Sequence, residues 1–176
     1  MQLQGMKYQS GFTLIELIIV NIILGVLAVT AVPKFTNIQS DATVFKLKSV
    51  SAALSGGATL VYAKSALAGR QNATSENPDA NVTIGNSVVK THYGYSSAFS
   101  VEEDGIASWI DLAACEWLIT TNENEQLNSL NQILPYQFAI SPFTGAPLGR
   151  KQCHVLYTSS TQAGKSPTYE TFTDDC

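Results

Sequence analysis

The sequence predicts an α+β protein: a long N-terminal helix whose hydrophobic half protrudes and whose amphipathic half packs on an antiparallel β-sheet. Three observations carry that prediction. The apolar residues of the 176-residue chain are concentrated in residues 12–32. A helical period of apolar side chains then continues to about Ala68. Beyond it come short alternating stretches punctuated by Gly, Pro and Asn, as in antiparallel strands and turns.

The first element is "GFTLIELIIVNIILGVLAVTAVPKF", residues 11–35. Between residues 12 and 32 only Thr13, Glu16, Asn21, Gly25 and Thr30 interrupt the apolar run. As a helix this segment is about 30 Å long, which matches the hydrocarbon core of a bilayer. A secretory signal would have a shorter apolar region, although "LAVTAVP" imitates an exit with cleavage after Ala31. A plain anchor has no need of Glu16, because a carboxylate deep in hydrocarbon costs roughly 2.5–3.5 kcal/mol even on lenient scales. The leader "MQLQGMKYQS" is short and polar, and Lys7 favours its cytoplasmic placement. A cut between Gly11 and Phe12 would create an α-amine at the start of the helix, with Glu16 about one turn further on, roughly 6 Å along the axis. When such rods pack with an axial stagger, the carboxylate of one can meet the amine of another.

Gly11, Phe12, Thr13, Leu14, Ile15, Glu16 and Leu17 together resemble the class III signal peptide of type IV pilins and of the pseudopilins of type II secretion. The resemblance covers about 35 residues and implies the type IV pilin fold. It also implies that a prepilin peptidase cleaves after Gly11 and N-methylates Phe12, leaving a mature chain that begins at Phe12. Glu16 matches the family's glutamate, whose partner in assembly is the amine of a neighbouring subunit. Gly25 and Pro33 match the glycine and proline that flank the part of the helix able to unwind in filaments. The implied division is a leader at 1–11, a transmembrane and filament-core helix at 12–33, and a globular head at 34–176 that includes the second half of the helix.

Pro33 removes a backbone donor and should kink or relax the helix without ending it. After it, Phe35, Ile38, Ala42 and Phe45, with Ala53 and Leu60, form one apolar face; Leu47, Val50, Leu54, Ala58 and Val61 form an adjoining stripe. Gly56 and Gly57 cost about 2 kcal/mol of helix propensity relative to two alanines, which points to close packing or a bend. Gly69 is the expected stop. Unbroken over residues 12–68, the helix would be roughly 85 Å long.

In the head, "GRQNATSENPDANVT" reads as a loop, and "NVTIGNSVVKTHYGYS" as short strands turning at Gly85 and Asn86. "ASWIDLAACEWLITT" spaces Trp109, Leu112, Ala113 and Trp117 for a short helix. "YQFAISPFTGAPLG" begins as a strand and becomes a loop at Pro142, Gly145 and Pro147. "CHVLYTSS" and "TYETFTDDC", joined by the "QAGKSP" turn, read as the final two strands. Many type IV pilins carry a disulfide-bounded C-terminal region, and the resemblance suggests a Cys153–Cys176 bond here, with Cys115–Cys153 as the alternative. "TLVYAKSALAG", "YGYSSAF" and the Cys-bounded tail look most like the mannose-sensitive haemagglutinin pilins.

The remaining signals are weak. Ten basic against fourteen acidic residues, without a basic cluster, argue against nucleic acid as a partner. "AGKSP" lacks the spacing of a phosphate-binding loop. His92 and His154 have no metal-ligand spacing, Asp174–Asp175 lacks a recognisable calcium-ligand pattern, and the sequons at Asn72 and Asn81 read as polar loop. No catalytic motif and no cofactor site is visible, so an enzyme is not expected.

The function implied by the resemblance is a structural subunit of a type IV pilus serving surface attachment. The precursor would sit in the inner membrane and the assembled subunit in an extracellular filament. The implied partners are other pilin subunits, the prepilin peptidase, the inner-membrane assembly machinery, and a surface glycan or an abiotic surface. A minor pilin and a type II secretion pseudopilin are the alternatives; a membrane-anchored binding module or enzyme ranks below both.

Overall fold

The protein is described from a computed structural model that covers residues 11–98, 105–106, 108–113, 116–121, 134, 136–142 and 152–176. The leader with Lys7, Cys115, and the loop with Gly145 and Pro147 lie outside the described residues. The chain divides into two compact units, Met1–Ser40 and Asp41–Cys176.

A single helix, α1 (Leu14–Leu67), contributes to both units and is continuous through Gly25 and Pro33. Its end is set by local chemistry. Gly69 adopts a left-handed φ of 69°, which costs a residue without Cβ nothing. Its amide donates to the Ala66 carbonyl at 3.0 Å and the Arg70 amide to the Ser65 carbonyl at 2.9 Å. This pair of bonds is the Schellman arrangement, which satisfies carbonyls the helix would otherwise orphan.

In the unit from Asp41 onward, the two apolar stripes of the helix separate. Leu47, Val50, Leu54, Ala58 and Val61 are buried, whereas Phe45 and Leu60 remain exposed. Leu47, Val50 and Leu54 of this stripe pack on a four-stranded antiparallel sheet of order β5 (Trp117–Thr121), β6 (Gln137–Pro142), β7 (His154–Thr158), β8 (Thr168–Phe172). The register pairs Phe138 with Tyr157 and Ile140 with Val155, placing four fully buried side chains against the helix. The Phe138 and Tyr157 rings stack with centroids 4.7 Å apart.

Among the described residues the unit also holds a 3-10 turn at Pro78–Ala80 and two hairpins: β1 (Val82–Ile84) with β2 (Ser87–Val89), turning at Gly85–Asn86, and β3 (Thr91–His92) with β4 (Tyr95–Ser96). Val82 and Val89 pack on Val61 of the helix. Tyr157 ties the β3–β4 hairpin to β7, because its hydroxyl donates to the Ser96 carbonyl at 2.8 Å. Burial pushes that hydroxyl well above the usual tyrosine range. Burial likewise raises Tyr169 on β8 to about 12, against the opposing effect of its hydrogen bond with Ser55 of α1.

One expected element is not found among the described residues. The chain around Trp109 and Leu112 turns instead of forming a helix: the Ile106 carbonyl accepts from the amides of both Trp109 and Ile110, and Trp117 begins strand β5. Pairing with β6 decides this, since Trp117 faces Pro142 and Ile119 faces Ile140 across the ladder. Trp109 packs instead at Gly57, where an added Cβ would lie 2.8 Å from both its ring and its carbonyl oxygen. Gly57 thus provides close packing; a Cβ at Gly56 would meet nothing within 4 Å. Cys153 and Cys176 form a disulfide, so Cys153 is not available to Cys115. Closing this loop constrains the unfolded chain by about 3 kcal/mol on the chain-entropy estimate.

Candidate functional site

The start of α1 is where sequence, geometry and charge converge. Gly11 and Phe12 precede the helix, and the Phe12 residue is 93% exposed. With Leu14 as the first helical residue, Thr13 is the N-cap and Glu16 occupies the third helical position. The Thr13 amide donates to Glu16 Oε2 at 2.9 Å, and the Thr13 hydroxyl donates to the same oxygen at 2.8 Å. In return the Glu16 amide approaches Thr13 Oγ1 at 3.4 Å. This is a capping box, in which N-cap Thr and third-position Glu each satisfy an amide that has no partner within the helix. The positive end of the helix dipole adds to the stability of a carboxylate there.

Glu16 is therefore bonded within its own first turn. Among the described residues it has no ion-pair partner; the salt bridge found there, Lys46–Glu116 at 3.5 Å, lies on the exposed surface of the second unit. Sequence reasoning singled out Glu16 and passed over Thr13 as more than one of several matching residues. The signal was present as Thr13-Leu14-Ile15-Glu16, the Thr-x-x-Glu pattern that precedes an apolar helical run.

Behind the cap the helix presents apolar side chains on every side. Leu14, Ile15, Leu17, Ile18, Ile19, Val20, Ile22, Ile23, Leu24, Val26, Leu27, Val29 and Val32 are all exposed, the least of them, Ile18, at 48%. By length and composition the helix can cross a membrane. A surface this apolar and this extensive does not stay in water in a stable protein. Gly25 lies within this stretch with nothing within 4 Å of an added Cβ, and Pro33 lacks the amide that would reach the Val29 carbonyl.

The head offers a different chemistry. His92 Nδ1 accepts the Ser75 amide at 2.9 Å and lies 3.0 Å from the Ser75 hydroxyl, pinning the loop after α1 to the β3–β4 hairpin. Burial lowers its pKa, with the Glu76 carboxylate opposing. His154 stacks on Phe172, centroids 4.7 Å apart. Among the described residues no group of three or more His, Cys, Asp or Glu is placed to hold a metal ion.

Residues 6–32 match the family model described as the prokaryotic N-terminal methylation motif. No curated protein and no solved structure matches the chain. The matched segment contains Gly11, Phe12, Glu16 and Gly25, and its boundary falls one residue before Pro33.

Proposed function

We propose that this chain is a structural subunit of a type IV pilus, of the mannose-sensitive haemagglutinin kind, that serves attachment to surfaces. The observation that carries the proposal is the coincidence of the methylation motif with a solvent-exposed apolar helix whose first turn holds a carboxylate. A prepilin peptidase cuts after Gly11 and methylates the new amine of Phe12. The apolar helix keeps the subunit in the inner membrane until it is assembled. In the filament the helices bury one another, and the heads face outward to meet a glycan or an abiotic surface.

Lipid tails are as apolar as leucine, so moving the rod from bilayer to filament core gains little from the hydrophobic effect. Specific assembly then needs a polar pair that only the correct stagger satisfies. Glu16 and the Phe12 amine of a neighbouring subunit supply opposite charges on otherwise apolar rods, and their attraction is strengthened by the low dielectric around them. Leaving either unpaired in the core is costly, which penalises wrong registers.

Glu16→Ala tests this reading. Membrane insertion is expected to persist, because a charge is removed from an apolar run, while surface filaments are lost. Wild-type amounts of filament from that variant would contradict it. Deleting the gene while measuring both piliation and secreted proteins separates a pilus subunit from a pseudopilin: loss of secretion with normal pili would assign the chain to a secretion machine.

A further inference from the structure

Four polar side chains lie within the apolar rod of residues 12–32, and three of them are satisfied inside it. Thr13 and Glu16 bond to each other, and the Thr30 hydroxyl donates to the Leu27 carbonyl at 2.9 Å. Asn21 is the fourth, and among the described residues its carboxamide makes no hydrogen bond. It lies about 14 Å along the helix from Phe12, close to the middle of a hydrocarbon core of about 30 Å. At that depth so short a side chain cannot reach the headgroups, and lipid tails offer it neither donor nor acceptor.

The surroundings of Asn21 indicate what satisfies it. Ile18, Asn21, Gly25, Ala28 and Val32 recur at helical spacing, fall within one stripe, and are all exposed. Gly25 and Ala28 are small, and a Cβ at Gly25 meets nothing within 4 Å, so a second backbone can come close beside the carboxamide. Glu16 lies about 140° round the axis from Asn21 and belongs to a different face. Copies of this chain inserted in one orientation hold Asn21 at one depth. A carboxamide is also self-complementary, since each Nδ2 can donate to the Oδ1 of the other. We infer that Asn21 pairs with Asn21 of a second copy of this chain in the membrane, joining two subunits as a parallel, two-fold dimer before assembly. The inference rests on the reading above of a subunit held in the membrane, and adds to it a contact separate from the Glu16 pair. Axial stagger in the filament carries one Asn21 away from the other, so the dimer is the form of the waiting subunit and parts on incorporation.

Sedimentation equilibrium of the full-length chain in density-matched detergent micelles tests the pair without filament assembly. Leucine copies the outline of asparagine and removes its donor and acceptor, whereas glutamine keeps both. Asn21→Leu should weaken self-association about tenfold, and Asn21→Gln should stay within about threefold of wild type. Gly25→Leu should weaken it about tenfold as well, because its added Cβ meets nothing in the subunit yet holds two backbones apart. Glu16→Ala should dimerise like wild type. A monomeric wild type, an Asn21→Leu or Gly25→Leu chain that associates like wild type, or a loss in Glu16→Ala equal to that in Asn21→Leu would each overturn the inference. So would an Asn21→Gln chain as weak as Asn21→Leu, which would assign the contact to shape. The reading it rests on fails on a different measurement: carbonate that strips the wild-type chain from vesicles would remove that reading and the dimer with it, whereas an extraction-resistant monomer would remove the dimer alone.

Discussion

Leu24 and Leu54 lie on the same helix, yet Leu24 is 57% exposed and Leu54 is fully buried. The contrast extends to their surroundings. Among the described residues the apolar side chains of residues 14–32 in the unit Met1–Ser40 stay exposed, while in Asp41–Cys176 Leu47, Val50 and Leu54 are covered by the four-stranded sheet and Val61 by the β1–β2 hairpin. Apolar content alone does not distinguish these segments; what differs is whether the chain supplies the covering surface. The second unit carries its own stability. The first leaves its apolar side chains uncovered among the described residues, and a capping box at Thr13 and Glu16 closes its polar end.

The comparison breaks most visibly if one substitution has the same effect in both units. Leu54→Ala should destabilise the head by about 2–5 kcal/mol, through lost burial and the cavity left behind. Leu24→Ala should leave the head's urea midpoint unchanged. Both tryptophans, Trp109 and Trp117, lie in the head, so their fluorescence reports its unfolding in the full chain embedded in vesicles. Equal losses from the two variants would mean that the units unfold as one.

A finer contrast lies between adjacent glycines. Gly57→Ala forces a methyl group against the Trp109 ring and carbonyl and should cost about 1–3 kcal/mol. Gly56→Ala meets open space and should stabilise the helix by up to about 1 kcal/mol, since alanine replaces glycine's unfavourable propensity. The same denaturation series measures both. A stabilising Gly57→Ala would remove the case for close packing at that turn.

The smallest effect is the pH response of the head. His92 in the folded state holds a proton less readily than in the unfolded chain, because burial and the Ser75 amide at Nδ1 favour the neutral ring. Its contribution to stability is therefore complete above the ordinary histidine value of about 6.5, and is lost as pH falls from there toward the lowered folded value. The unfolding midpoint should decline over that window in wild type. His92→Asn should remove that part of the slope, and an unchanged slope would show that other groups carry it.

These contrasts also show what was legible in the sequence. The stripe Leu47, Val50, Leu54, Ala58 and Val61 followed from helical period, the stop at Gly69 from a glycine just beyond the periodic run, and the hairpin at Gly85–Asn86 from alternation around turn residues. Period could not say which of two adjoining stripes would be covered, because the answer depends on strands distant in the chain; Phe45 and Leu60 stayed outside. The expected helix around Trp109 failed for the same reason: local spacing fitted a helix, and pairing of Trp117–Thr121 with Gln137–Pro142 overrode it. At the candidate site Glu16 stood out as a charge among apolar residues. Its partner Thr13 was equally readable, because Thr-x-x-Glu before an apolar helical run is the pattern of a capping box.

The account turns on the claim that the first unit is made for processing and assembly, and the intact mass of the protein isolated from its native host tests this most directly. It predicts one major species beginning at Phe12 with a methylated α-amine, so that the capped helix carries its new positive charge beside Thr13. A major species that retains Met1, or one that begins after Ala31, would contradict it.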